Sequence, residues 1–132
     1  RLGLGDRISL HGVISDRDTL KLHYAAADLF LFPSMYDNAP LVIREAAMMG
    51  TPSVILRGST ASEVIADGKN GFLAEQSAES YAGTVRKLYH DRDAVAVAAQ
   101  GASATLTRSW REVMEEVVQR YKEIIDRYGR RR

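Results

Sequence analysis

Asp28-Leu29-Phe30-Leu31-Phe32-Pro33-Ser34 leads into Met35-Tyr36-Asp37-Asn38-Ala39, then into Pro40-Leu41-Val42-Ile43-Arg44-Glu45-Ala46-Ala47-Met48-Met49-Gly50, and then into Thr51-Pro52-Ser53-Val54-Ile55-Leu56. Two unbroken apolar runs flank a segment with helical spacing. Continuous apolar runs suit parallel strands that helices cover on both faces, whereas half-exposed strands alternate. Pro40 is tolerated in a first helical turn, and Gly50 suits a helix stop. The stretch therefore reads as strand, loop, helix, strand. Gly58-Ser59-Thr60 then forms a small-residue loop, and a third helix is expected from about Thr60 to Ala66, ended by Asp67-Gly68.

Working outward, the same alternation continues. Residues 8–13 alternate with period two and are expected as a strand, and Gly71-Phe72-Leu73-Ala74 as a short last strand. Ser15 with Asp18 resembles a capping signal for a helix whose Leu20, Tyr24 and Ala27 share a face. Residues 78–90 read as a helix with Tyr81, Val85, Leu88 and Tyr89 as its buried stripe, and 93–106 as an Ala-rich helix. Ser109 and Glu112 form a capping box for a last helix that Gly129 ends. From Trp110 to Tyr128 that helix keeps a three-and-four apolar spacing. The fold class is α/β with a mostly parallel sheet and a long C-terminal helix.

The bulk properties exclude several classes of function. The 132 residues are enough for one domain with a core. A hydrophobic fraction of 45% and a charged fraction of 27% fit an ordinary globular chain. A net charge of +1 supplies no field for nucleic acid, so none is expected as a partner. The absence of cysteine excludes disulfides and thiolate chemistry and fits a reducing compartment. His11, His23 and His90 lack ligand spacing, so no metal site is expected. The Arg130-Arg131-Arg132 triplet reads as a solvated end. A first residue of Arg1 suggests an excised or processed segment.

In parallel α/β sheets, ligands sit beyond the carboxyl ends of the strands, where helix N-termini offer free N–H groups to phosphate. The amides near Asn38, Ala39 and Leu41 are candidates, although Pro40 donates nothing, and the loop at Ser59-Thr60 is a second approach. The ordered set Pro33-Ser34, Asp37, Glu45-Ala46-Ala47-Met48-Met49-Gly50-Thr51-Pro52, Glu63-Val64-Ile65 and Gly68-Lys69-Asn70-Gly71-Phe72 resembles the carboxyl-terminal domain of the retaining glycosyltransferases of family 4. These enzymes have two facing Rossmann-like domains, the GT-B architecture. They carry an acid, seven residues and a Glu, and Asp37 and Glu45 have that spacing.

The resemblance implies a Rossmann-like three-layer domain truncated at its amino end, with its donor a nucleotide-diphosphate sugar. Glu45 would accept hydrogen bonds from the ribose hydroxyls, since an ionised carboxylate takes two donors at once. Asp37 would be the catalytic residue near the donor sugar, orienting its hydroxyls or the developing charge at the anomeric carbon. It is one methylene shorter than the usual Glu, about 1.5 Å less reach. Asn38, Ala39, Pro40 and Leu41 would hold the diphosphate, and Ser59, Thr60 and Glu63 would line the donor site. The resemblance implies no cofactor and no metal, with protein donors and helix dipoles stabilising the leaving phosphate. The family's diphosphate-gripping Arg and Lys would precede Arg1, and Arg57 is a candidate partial substitute. The missing N-terminal domain of the same enzyme would bind the acceptor, so the chain alone is expected to be inactive.

By the resemblance, the family's strand order would put residues 8–13 at the far edge of the sheet, separated from 28–32 by the absent strands. The chain must then close that gap, pair with a second chain or leave edges exposed. An intermolecular contact or a collapsed register is expected, with the sheet edge or the last helix mediating self-association. The expected location is cytoplasmic, peripheral to the membrane in the intact enzyme. Plain structural roles compete at each site: Glu45 paired with a nearby base, Asp37 and Thr60 as turn and cap residues, Met48-Met49 and Trp110 as packing. Two other readings stay open, an epimerase-like enzyme of two Rossmann domains and a non-catalytic interaction module of the same fold.

Overall fold

The apolar runs do become parallel strands. In the computed structural model, which describes residues 3–37 and 41–129, β1 (Phe30–Phe32), β2 (Ser53–Leu56) and β3 (Phe72–Ala74) form one sheet in the order β1-β2-β3. Leu31 lies opposite Val54, and Val54 opposite Phe72, with both pairings parallel. Helix α1 (Arg17–Ala26) precedes β1, α2 (Leu41–Met48) joins β1 to β2, and a 3-10 turn (Thr60–Val64) lies between β2 and β3. Helices α3 (Ala78–His90), α4 (Arg92–Thr105) and α5 (Trp110–Tyr128) follow in succession.

The period of two in each strand divides the core between the sheet faces. Phe30, Phe32, Ile55 and Leu73 pack with Ile43 and Ala47 of α2 and with Ala102 and Leu106 at the end of α4. Val54, Phe72 and Ala74 pack on the other face with Leu88 of α3 and Val95 and Ala98 of α4. Helix α4 thus serves both clusters, and the arrangement is a Rossmann-like α/β fold. Gly50 ends α2 with φ +80°, a left-handed turn that favours glycine, as Thr51 N–H returns to the Ala46 carbonyl at 3.0 Å.

Gly101 lets α4 approach the turn before β3, since a Cβ there would stand 1.9 Å from the Lys69 carbonyl oxygen. The neighbouring Asn70 is buried and ties that turn down. Its Oδ1 accepts from Ala66 N–H at 2.7 Å, and its Nδ2 donates to Thr105 Oγ1 of α4 at 2.8 Å. Asn70 of the 68–72 motif is therefore a packing device.

Several expectations need correction. Residues 8–13 form no strand: they pair with nothing, and Leu10 and Val13 are 92% and 94% exposed. A strand needs a hydrogen-bonded neighbour, and alternation alone supplies none. The register of β1 does not collapse onto them, and its outer edge carries no strand among the described residues. Asp16, not Ser15, caps α1, its carboxylate accepting from Thr19 N–H at 2.7 Å. The third helix is the tighter 3-10 turn, two residues shorter than expected. Trp110 is exposed rather than core, and Tyr89 lies outside the buried stripe of α3. The capping box of α5 is present as read, with Ser109 Oγ accepting from Glu112 N–H at 3.2 Å and the Glu112 carboxylate accepting from Ser109 N–H at 2.6 Å.

Candidate functional site

The carboxyl ends of β1 and β2 bring two of the candidate residues together. The chain leaves β1 at Pro33 and turns so that Asp37 meets Thr60, the first residue of the 3-10 turn beyond β2. Asp37 N–H donates to Thr60 Oγ1 at 3.0 Å, and the Thr60 hydroxyl donates to the Asp37 carbonyl at 2.7 Å. Thr60 N–H adds a bond to the Met35 carbonyl at 3.3 Å. The Asp37 carboxylate takes part in neither contact with Thr60. Asn38, Ala39 and Pro40, expected at the diphosphate, lie outside the described residues. Leu41 opens α2 and is exposed. The first N–H groups of a helix have no intrahelical acceptor, so those at the start of α2 turn to partners outside the helix.

Glu45 lies one turn further along α2 and is half-buried. Among the described residues it forms no ion pair. Its neighbour is the Tyr24 phenol of α1, whose pKa is pushed above the usual tyrosine value by burial first and then by the negative charge and hydrogen bonding of Glu45. Thr51 Oγ1 donates to the Tyr24 carbonyl at 2.6 Å and holds the end of α1 against the residues that follow α2. Glu45 borders a hollow of about 210 Å³ between α1 and α2, lined also by Arg17, Lys21 and Tyr24. On its other side it borders a wider hollow of about 440 Å³, shared with Arg44, Arg108 and Trp110. Neither hollow is lined by Asp37, Ser59, Thr60 or Glu63.

The remaining candidates divide. Ser59 is buried, and its Oγ has no hydrogen-bond partner among the described residues. Glu63 is exposed in the 3-10 turn. Arg57 does not stand free to grip a diphosphate: it donates to Glu75 at 2.7 Å and to Asp67 at 2.9 Å, and both acids hold its pKa above the usual value. Those bonds tie the end of β2 to the residues flanking β3. No described residues form a group of three or more His, Cys, Asp or Glu able to hold a metal. No described helix is long and apolar enough to cross a membrane.

Another hollow, of about 910 Å³, lies on the other sheet face, between Leu31, Leu56 and the Tyr81, Val85 and Tyr89 side of α3. Its lining is mostly apolar, and it adjoins the unpaired edge of β1. This is uncovered sheet rather than a polar ligand site. Sequence reasoning missed Tyr24 beside Glu45, because its place on the apolar face of α1 marked it as core. It also missed that Arg57 is neutralised, since in the sequence Asp67 carries only the signal of a helix stop.

The glycosyl transferases group 1 family matches residues 1–104. A D-inositol 3-phosphate glycosyltransferase of Corynebacterium urealyticum is 30% identical over 76% of this chain and 24% of its own length. A GDP-mannose-dependent alpha-(1-6)-phosphatidylinositol dimannoside mannosyltransferase of Mycobacterium tuberculosis is 33% identical over 67% of this chain and 23% of its own length. The chain spans about a quarter of these relatives. Among solved structures, the sucrose-phosphate synthase of Thermosynechococcus elongatus superposes with TM-score 0.79 over 93% of this chain and 31% of its own, at 24% identity, which speaks for the fold alone. Anabaena HepE in complex with UDP-glucose superposes with TM-score 0.72 over 89% of this chain and 34% of its own, at 26% identity. With the parallel sheet, the acids beyond its strand ends and the family match across most of its length, the chain belongs to the group 1 glycosyltransferases, as part of their GT-B carboxyl-terminal domain.

Proposed function

We propose that this chain is the nucleotide-sugar-binding part of a retaining glycosyltransferase of family 4, and that a separate N-terminal domain supplies the acceptor site. The observation that carries the reading is Glu45: half-buried on α2, without an ion-pair partner among the described residues, and bordering a hollow. A carboxylate kept for structure alone would be expected to hold a nearby base. This one stands beside a neutral phenol and keeps acceptor capacity for a pair of ribose hydroxyls. HepE, which binds UDP-glucose, and the GDP-mannose-dependent mannosyltransferase support a nucleotide-diphosphate sugar as donor.

Asp37 is assigned to the donor sugar, and the start of α2 to the diphosphate. Helix N–H groups, rather than a metal, stabilise the leaving phosphate in this reading. No protein nucleophile is assigned. Positioning the acceptor supplies much of the rate of such a transfer, so the 132-residue chain alone is expected to transfer no sugar. The intact enzyme is placed in the cytoplasm, at the membrane periphery.

Titration of UDP, UDP-glucose, GDP and GDP-mannose tests the reading. At least one pair is expected to bind, and Glu45→Ala is expected to weaken that binding by about 1–3 kcal/mol, the range for hydrogen bonds to a charged group. Equal affinity in a folded Glu45→Ala variant removes Glu45 from the site. No binding of any of the four nucleotides leaves the chain a non-catalytic module of the same fold.

A further inference from the structure

Thr60 is placed to control Asp37 without touching the donor. A threonine hydroxyl has a single proton to give. Here that proton goes to the Asp37 carbonyl at 2.7 Å, while the same oxygen accepts the Asp37 N–H at 3.0 Å. With the Thr60 N–H on the Met35 carbonyl at 3.3 Å, three hydrogen bonds from one residue hold the loop beyond β1. The hydroxyl proton is thereby committed, and none remains to donate to a phosphate oxygen.

The two partners are unequally anchored, which sets the direction of control. Thr60 stands between buried Ser59 and buried Ala61, on a turn closed by Ser62 Oγ on the Ser59 carbonyl at 2.7 Å and by Ser59 N–H on the Leu56 carbonyl at 3.2 Å. Beside Asp37, by contrast, the Tyr36 side chain is exposed. No hydrogen bond joins the Asp37 carboxylate to another described residue, so what Thr60 anchors is the main chain, which sets the point from which the carboxylate reaches. A side chain aimed at a reacting centre needs such support, because misplacement by about 1 Å can cost a hundredfold in rate.

We propose that Thr60 is a positioning residue: it fixes the Asp37 backbone, and through it the Asp37 carboxylate, against the donor sugar, and it does not bind the diphosphate with its side chain. The proposal rests on the donor-binding reading of the site. Thr60→Val keeps the shape and removes both hydroxyl bonds, whereas Thr60→Ser keeps them.

Two measurements test it on the 132-residue chain. The first uses no ligand: amide hydrogen exchange at Asp37 is expected to quicken about tenfold or more in Thr60→Val, with the other β1 and β2 amides unchanged, and to return to the parent rate in Thr60→Ser. The second compares UDP-glucose with UDP and GDP-mannose with GDP. Thr60→Val is expected to leave nucleotide affinity within about twofold and to lose the sugar-dependent difference, as Asp37→Ala does, while Thr60→Ser retains it. An Asp37 amide that exchanges at the parent rate in Thr60→Val overturns the clamp. An equal fall in affinity for nucleotide and nucleotide sugar overturns the indirect role, because it makes Thr60 a direct ligand. If the parent chain binds none of the four nucleotides, the donor-binding reading fails and takes the role in sugar positioning with it. The amide measurement still distinguishes that failure from failure of the clamp.

Discussion

Strand β2 and helix α5 are both rich in apolar residues and both formed as the sequence suggested, yet they end in opposite surroundings. Val54 and Ile55 of β2 are fully buried between strands on either side and helices on both faces. Helix α5 is more than four times as long (19 residues against 4) and buries none of its residues. Trp110 at its start is 82% exposed, and Tyr121, Ile124, Ile125 and Tyr128 also face outward. Local signals decide whether an element forms, and neighbours decide whether its apolar face is covered. In β2 the two agree. In α5, capping and ion pairs of Glu116 with Arg108 and Arg120 hold an amphipathic helix whose stripe stays largely exposed.

The sharpest test of this contrast is Ile55→Ala, which empties a site enclosed by β2, α2 and α4. A loss of about 3–4 kcal/mol is expected by chemical denaturation, because the transfer and cavity terms add. A loss below about 1 kcal/mol would mean that the sheet is looser than described. Gly101→Ala should come next. A Cβ meeting the Lys69 backbone forces a shift costing on the order of 3 kcal/mol, and the better helix propensity of alanine offsets about 1 kcal/mol. A net loss of about 2 kcal/mol is therefore expected, and a gain in stability would show that α4 and the 66–70 turn stand apart.

On α5 the effects should be small. Tyr121→Gln and Ile124→Gln are each expected to change stability by about 0.5 kcal/mol or less in the monomer, since both are exposed and Gln is a good helix former. A loss of 2 kcal/mol that grows with protein concentration would break the comparison by revealing a second chain on the stripe, the self-association expected from sequence. The smallest effect should be the pH response of the capping box. The Ser109 amide and hydroxyl hold the Glu112 carboxyl below its ordinary value of 4.5. A depressed folded pKa gives stability present above 4.5 and lost as pH falls through the folded value. Helicity at the start of α5 should therefore decline in acid below 4.5, and Glu112→Gln should flatten that decline in a circular-dichroism titration.

What could be read in advance followed the range of the forces. The apolar runs at 28–32 and 53–56, the helix at 78–90 and the Ser109–Glu112 box were legible because they depend on near neighbours in the chain. Residues 8–13 misled because alternation marks a strand only where another strand accepts its hydrogen bonds. At the site, Glu45 and Asp37 were found by spacing and resemblance. Their surroundings were not legible: Thr60 lies 23 residues from Asp37, and Tyr24 reaches Glu45 from a helix that precedes β1 in the chain. Arg57 shows the reverse error, a cation that looked available until the fold placed Glu75 and Asp67 against it.

The double duty of α4 has a consequence for how the chain is made. Strands β1, β2 and β3 pair in the order in which they leave the ribosome, so β2 and β3 each emerge with a partner already made. Their coverings do not arrive in step, because Ala102 and Leu106 close one face and Val95 and Ala98 the other. A nascent chain that stops at His90 carries a paired sheet with neither hydrophobic cluster complete. Commitment to the native state is thus deferred to the synthesis of a single helix, and until then the growing chain presents the surfaces that chaperones recognise.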